Sequence, residues 1–228
     1  MQTRCQQSGF AGPILTTKCT GSQRLEKTRG VSYCLRMTSA DGPQIARPDP
    51  HRYFMGIALA VRERADCTGN RVGAIVVVDR RIVSTGYNGT PENMPNCSEG
   101  GCHRCANRDQ YPSGTGYDLC ICVHAEQNAL LAAARFGIAV QGSTVYSTMR
   151  PCFGCTKEML QAGVKEVYYL HDWTHPDAAK QAEYTRLQGR FAGGIRRLDM
   201  DDPRADWAIT TRRDARPRTP DETGHAPG

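Results

Sequence analysis

One stretch, from His124 to Cys155, constrains this chain more than any other. It opens Val123-His124-Ala125-Glu126-Gln127-Asn128 and closes Arg150-Pro151-Cys152-Phe153-Gly154-Cys155. An imidazole and two thiolates supply three ligands of a tetrahedral catalytic zinc and leave the fourth position for water. The fold must therefore return Cys152 and Cys155 onto a histidine that lies about one βα unit upstream. The cysteines are spaced i, i+3, so a helix starting at Pro151 puts both sulfurs on one face of its first turn. There the unpaired N–H groups and the positive helix end favour thiolate over thiol. Glu126 stands two residues past the histidine, near the metal but not needed to complete its shell. That is the place of a general acid/base, and a purely structural zinc would not require it.

Around this stretch the chain alternates between strand and helix signals. Apolar residues at 54, 57, 58 and 61 have helical spacing, and the helix they predict begins near Pro50. Arg71 to Asp79 is a buried-strand pattern of β-branched residues, Arg80-Arg81 a polar turn, and Ile82 to Tyr87 the returning strand of a hairpin. His124 to Arg135 is an Ala/Leu-rich helix stopped at Phe136-Gly137, with Leu130 and Leu131 read as core. Thr144 onward is a strand, Cys152 to Ala162 a helix, and Val164 to Leu170 a strand. Asp177 to Gln188 is a helix, and Gly194 to Leu198 a last strand. The order implies an α/β sandwich with parallel pairings after an initial hairpin. Residues 88–123, rich in Gly, Pro, Asn and Cys, lack a clear period and read as a functional or metal-stapled insertion.

Composition places the boundaries. Residues 1–47 show no sustained period and read as a disordered extension, in which Met37 is a candidate initiator and Cys5, Cys19 and Cys34 have no role. The domain is expected over residues 48–200, and residues 201–228 read as a frayed tail. The net charge of +6 is concentrated at the N-terminus, where residues 1–47 carry seven Lys/Arg against two acids. Residues 201–228 carry five against six, which leaves the body near neutral and speaks against a broad basic face for nucleic acid. No apolar run approaches the ~20 residues of a membrane span, and no secretory h-region stands at the N-terminus. Of the eleven cysteines, seven lie between Cys97 and Cys155, several of them near His103 and His124, which suggests metal chemistry in a reducing compartment and a cytoplasmic enzyme.

His124-Ala-Glu126 with Pro151-Cys152-x-x-Cys155 resembles the zinc-dependent cytidine deaminase superfamily. A narrower likeness, over about residues 50–198, is to the deoxycytidylate (dCMP) deaminases. It rests on Val72-Gly73-Ala74, on Gly86-Tyr87-Asn88-Gly89-Thr90-Pro91, on Gln161-Ala-Gly-Val-Lys-Glu-Val and on His171-Asp172. The resemblance implies a three-layer α/β/α sandwich around a five-stranded mixed sheet, and a homo-oligomer, often a hexamer. It also implies hydrolysis of dCMP to dUMP and ammonia, with zinc at His124, Cys152 and Cys155 and Glu126 as the proton carrier.

Substrate contacts are read less directly. In the family the Tyr-Asn-Gly turn lies against the nucleotide, so Asn88 is a candidate for holding sugar or base; Asn-Gly also makes tight turns unaided. Arg71, before the first strand, and Arg150, beside the zinc helix, are candidates for the 5′-phosphate; both also suit a solvated or structural role. Cys97-x4-Cys102-His103-x-Cys105 and Cys120-x-Cys122 resemble the second, structural zinc of some dCMP deaminases without matching its spacing. Cys97, Cys102 and one of Cys120 or Cys122 are the expected ligands, with Cys67 a possible fourth, against the reading of several free buried thiols. Two competing functions stand beside dCMP deamination. One is a deaminase of cytidine, guanine, a pterin-like base or a tRNA adenosine; the other is a zinc-stapled nucleotide-binding module without turnover.

Overall fold

The computed structural model describes residues 47–111 and 114–210. The expectations for residues 1–46 and for the chain after Thr210 lie outside the described residues. Five strands form one mixed sheet in the order β2-β1-β3-β4-β5. They are β1 (Gly73–Val78), β2 (Arg81–Tyr87), β3 (Thr144–Met149), β4 (Glu166–His171) and β5 (Gly194–Arg197). β1 runs antiparallel to both β2 and β3, while β3, β4 and β5 are parallel. This is the sandwich with an initial hairpin that the strand–helix alternation predicts. The hairpin turn sits one residue earlier than expected. Val78 pairs with Arg81, so Asp79 and Arg80 are the loop, and both have positive φ (47° and 63°). Two left-handed residues give the twist that suits a two-residue hairpin, here without glycine.

Helix α1 (Pro50–Arg62) starts where Asp49 accepts hydrogen bonds from the backbone N–H groups of His51 and Arg52. It covers one face of the sheet, packing Phe54, Met55 and Ala58 against Ile75, Val77, Tyr146, Tyr168 and Leu170. A short helix α2 (His103–Ala106) lies in the insertion. On the other face, α3 (Ala125–Arg135) and α4 (Phe153–Gln161) enclose a core of Val76, Ala129, Val145, Met159, Val164, Val167 and Phe191. Helix α5 (Ala178–Gln188), capped by Asp177, packs beside α4. Leu130 is partly buried there, but Leu131 is 55% exposed and is not core. A helix this short shows only one stripe to the sheet, and the Leu131 side chain falls outside it.

Two glycines set how closely helices approach the sheet. A Cβ on Gly86 of β2 would lie 2.2 Å from the Ala125 carbonyl oxygen and 2.4 Å from the Ala129 nitrogen. A Cβ on Gly73 of β1 would meet the Ala58 carbonyl oxygen at 2.4 Å. Backbone therefore lies directly on backbone at both places, which only glycine permits. Polar contacts add to the α3 seat: the Ser84 hydroxyl donates to the Ala129 carbonyl (2.6 Å), and the Asn128 amide to the Tyr87 carbonyl (2.7 Å).

The expected tail from Asp201 is corrected in its first ten residues. Asp202 accepts two hydrogen bonds from the Arg62 guanidinium, at 2.6 and 2.9 Å, and lies 2.6 Å from His171 Nε2. Arg62 and Asp202 are both buried. A short helix α6 (Ala205–Ala208) follows with Ala205 and Ala208 buried, and Arg71, Arg62 and Arg204 all approach the Trp207 ring. A guanidinium at the end of α1 cannot be buried without a carboxylate, and the nominal tail supplies it. Among the described residues no helix is long and apolar enough to cross a membrane.

Candidate active site

His124 ends the insertion and is the residue that caps α3. Its backbone N–H donates to the Gln127 side chain (2.9 Å), whose amide reaches Glu158 of α4 (2.9 Å). Val123 and Gly89 form an isolated antiparallel bridge that fixes the strand leading into the histidine. Cys152 likewise precedes α4 as its N-cap, and its sulfur accepts from the Cys155 N–H at 3.5 Å. The helix thus begins one residue beyond Cys152 rather than at Pro151, with both sulfurs still on its first turn. The His124 Nδ1 lies 3.3 Å from Cys152 Sγ and 3.4 Å from Cys155 Sγ. A tetrahedral centre with Zn–N near 2.0 Å and Zn–S near 2.3 Å separates its ligands by about 3.5 Å, so the three donor atoms fit a zinc.

Electrostatics agree with that donor set. The Cys152 thiol is held down at about 4, first by hydrogen bonding with Cys155 and, against burial, by His124. Burial alone would lower His124, but the Cys152 thiolate brings it up to about 9. Glu126, the second residue of α3, is buried, and that burial raises its carboxyl above the usual carboxylate range. Ser147 of β3 donates to Glu126 Oε1 at 2.8 Å and orients it. Alternation along the strand puts Ser147 on the α3 face beside Val145, a partner that no motif marks.

A cavity of about 560 Å³ opens onto Glu126, His124 and Cys152. Of the predicted substrate residues, Asn88 and Arg150 line it and Arg71 does not. Asn88 is buried and clamps the turn: its side-chain oxygen accepts from the Val72 N–H and its amide donates to the Asn70 carbonyl, both at 2.8 Å. Arg71 instead donates to the Trp207 carbonyl at 2.8 Å and lies over that ring at 4.5 Å. Its phosphate assignment is therefore corrected to a support of the C-terminal turn. Arg150 binds Gln188 and Asp172 and covers the Tyr184 ring. Gln188 and Tyr184 both donate to the Pro151 carbonyl, so Arg150 buttresses the approach to Cys152. The insertion contributes Arg104, Arg108 and Tyr117 to the cavity, and the turn after β4 contributes Trp173. Sequence reasoning missed these four, because nothing in an aperiodic loop tells which side faces the cleft.

Cys97, Cys102, Cys120 and Cys122 lie in one cluster with Cys67 and Cys105, but Cys97 and Cys102, expected to share one ion, fall in different groups of four. Cys105 stands in the quoted pattern but was not among the expected ligands. All six thiols are free. They fall into two groups of four with metal-ligand spacing, Cys67/Cys97/Cys105/Cys122 and Cys102/Cys105/Cys120/Cys122. His103 lies apart, exposed and bonded to Asn107.

Comparison with known proteins agrees with this geometry. Residues 48–171 match the model of the cytidine and deoxycytidylate deaminase zinc-binding region. The chain is 41% identical over 129 residues to deoxycytidylate deaminase of Saccharomyces cerevisiae, covering 57% of this chain and 40% of that protein. It is 40% identical over 133 residues to deoxycytidylate deaminase of Mycobacterium phage D29, covering 55% of this chain and 97% of that protein. It thus spans less than half the length of the yeast relative and nearly all of the phage one. Among solved structures, dCMP deaminase from the cyanophage S-TIM5 in complex with dCMP and dUMP is similar at a TM-score of 0.51 and 27% identity. That match covers 67% of this chain and 99% of the phage enzyme. With a model match over more than half its length and a catalytic constellation to go with it, the chain belongs to the cytidine and deoxycytidylate deaminase family.

Proposed function

We propose that this chain hydrolyses the C4 amine of dCMP, giving dUMP and ammonia. The observation that carries this is the buried Glu126 carboxyl opening onto the same cavity as the His124 and Cys152 donor atoms. His124 Nδ1, Cys152 Sγ and Cys155 Sγ would hold a zinc, which when bound would supply a water made nucleophilic near neutral pH. Glu126 takes a proton from the attacking water as the water oxygen bonds to C4, and delivers it to N3 of the ring. The same carboxylate then takes the proton of the new C4 hydroxyl and gives it to the departing amine, so that C4–N breaks, ammonia leaves and the C4 carbonyl remains. A carboxyl whose pKa is raised by burial is suited to both halves of this transfer. Ser147 holds Oε1 in line, so little reorganisation is needed as C4 becomes tetrahedral.

The relatives named deoxycytidylate deaminase support the nucleotide over the free base. Arg104 and Arg108, on the insertion side of the cavity, supply the cationic wall for its phosphate, in place of Arg71. The cysteine cluster supports structural zinc in addition to the catalytic ion, and its free thiols suit a reducing, cytoplasmic compartment. Exposed Leu131, Phe136 and Phe153 support assembly as a homo-oligomer, which light scattering of the purified protein would measure. The deciding experiment is ammonia release from dCMP, CMP, cytidine, dCTP and guanine by purified protein. Preference for dCMP is expected. Preference for cytidine or guanine would move the chain to another branch of the family, and no release from any of them would leave a zinc-stapled binding module.

A further inference from the structure

The six clustered cysteines, five from the insertion together with Cys67, outnumber the ligands of one structural ion, and their arrangement explains why. Cys105 and Cys122 belong to both groups of four, Cys67 and Cys97 only to the first, Cys102 and Cys120 only to the second. Within each group all sulfurs lie within 4.8 Å of one another. The closest pairs are Cys102–Cys120 at 3.8 Å, Cys67–Cys105 and Cys105–Cys120 at 3.9 Å, and Cys105–Cys122 at 4.0 Å. A zinc with four Zn–S bonds near 2.3 Å has sulfur–sulfur edges of about 3.8 Å, so each group has the size of one tetrahedral shell. Neither group leaves room between its sulfurs for inorganic sulfide, which argues against an iron–sulfur cluster.

We infer that the insertion holds a binuclear zinc–thiolate cluster in which Cys105 and Cys122 bridge two zinc ions. Two tetrahedral ions need eight bonds, and six thiolates supply eight when two of them are shared. A single ion in either group would leave two thiols, buried except for the half-buried Cys120, crowded against it with no bond to make. Support for the outer ligands is also in place. The Thr68 N–H donates to Cys97 Sγ at 3.5 Å, and the Thr68 hydroxyl lies 3.7 Å from the same sulfur. Donors of this kind orient metal thiolates. The cluster ties together the turn after α1 (Cys67), both short turns of the insertion and the strand that enters His124. Cys122 stands two residues before that histidine, so the cluster also sets the wall that carries Arg104, Arg108 and Tyr117.

This inference rests on the reading that the insertion binds zinc, and the test separates the two. Native mass spectrometry of the untagged full-length protein is expected to show three zinc ions in wild type and two in Cys152→Ala. Two in wild type and one in Cys152→Ala would keep a structural zinc but overturn the binuclear cluster. One and none would remove structural zinc altogether. Cys67→Ser, which opens one group only, is expected to retain one cluster ion, whereas Cys105→Ser loses both. Should either variant fail to fold, wild-type protein exchanged with cadmium-113 gives the answer by NMR. Two cluster resonances coupled to each other through shared sulfur are expected. Two uncoupled resonances, or a single one, would overturn the bridging assignment.

Discussion

At the scale of single residues, the reaction depends on where a proton can be held. Glu126→Gln keeps the shape of the side chain and its contact with Ser147 but removes proton transfer. It is expected to lose several orders of magnitude in kcat, given about 10²–10⁴-fold per acid–base step, with zinc content and melting temperature unchanged. Near-normal turnover in steady-state assays would reduce Glu126 to an ordinary helix residue. Arg108→Ala is expected to lower kcat/KM for dCMP by about tenfold or more, the scale of a hydrogen bond to a charged group, and to leave cytidine nearly unaffected. Equal loss on both substrates would deny the phosphate contact. The convergence of His124, Cys152 and Cys155 beside Glu126 was legible because two short motifs carry all four residues. The anchoring of Arg71 and Arg150 was not legible, because distant partners hold their side chains. Arg71 is fixed by Trp207, 136 positions away, and Arg150 by Gln188, 38 positions away. No local pattern carries that information.

At the scale of elements, the segment after β5 belongs to the fold. Asp202→Asn leaves the buried Arg62 guanidinium without its counter-charge, and breaking such a pair costs about 3–5 kcal/mol. A large fall in melting temperature is therefore expected, with calorimetry as the check. Burial alone would raise the Asp202 carboxyl, but the Arg62 and His171 contacts hold it well below the usual carboxylate range. A depressed folded pKa contributes stability above the unfolded value of about 4 and loses it as pH falls toward the folded one. Denaturant midpoints should thus drop on acidification below about pH 4, and Asp202→Asn should flatten that part of the profile. The same slope in both proteins would refute the assignment. Strand and helix positions were legible to within a residue or two, since β-branched runs and capping residues are local signals. The tail looked frayed because Pro, Arg and Asp dominate it. Its order comes from one ion pair that spans 140 positions, and composition does not register that.

At the scale of the whole molecule, a cluster of thiols joins parts that the hydrophobic cores do not. The apolar clusters hold α1, α3 and α4 to the sheet, while the cysteine cluster lies apart from both and holds the insertion. Ordering a loop costs roughly 1–2 kcal/mol per backbone residue, and a tetrahedral thiolate site contributes on the order of 10 kcal/mol. Stripping zinc with a strong chelator is expected to lower the melting temperature and to expose the insertion to proteases before the sheet unfolds. Simultaneous digestion of both would show that the insertion needs no metal. The richness of the insertion in cysteine was legible, but the division of six thiols into two overlapping groups of four was not, since it requires their positions in space. Removal of residues 1–36, which composition reads as an extension without a period, is expected to leave melting temperature and kcat unchanged.

The flush seat of α3 on Gly86 has a genetic consequence. Any change at the first or second base of a glycine codon replaces the residue, and even alanine would drive a methyl group into the Ala125 carbonyl. The helix would have to lift, carrying His124 and Glu126 with it, while Cys152 and Cys155 stay with the parallel half of the sheet. A codon far from any ligand is therefore closed to missense change as firmly as those of the ligands themselves. Among natural variants of this gene, substitution at Gly86 should be as rare as substitution at Cys152.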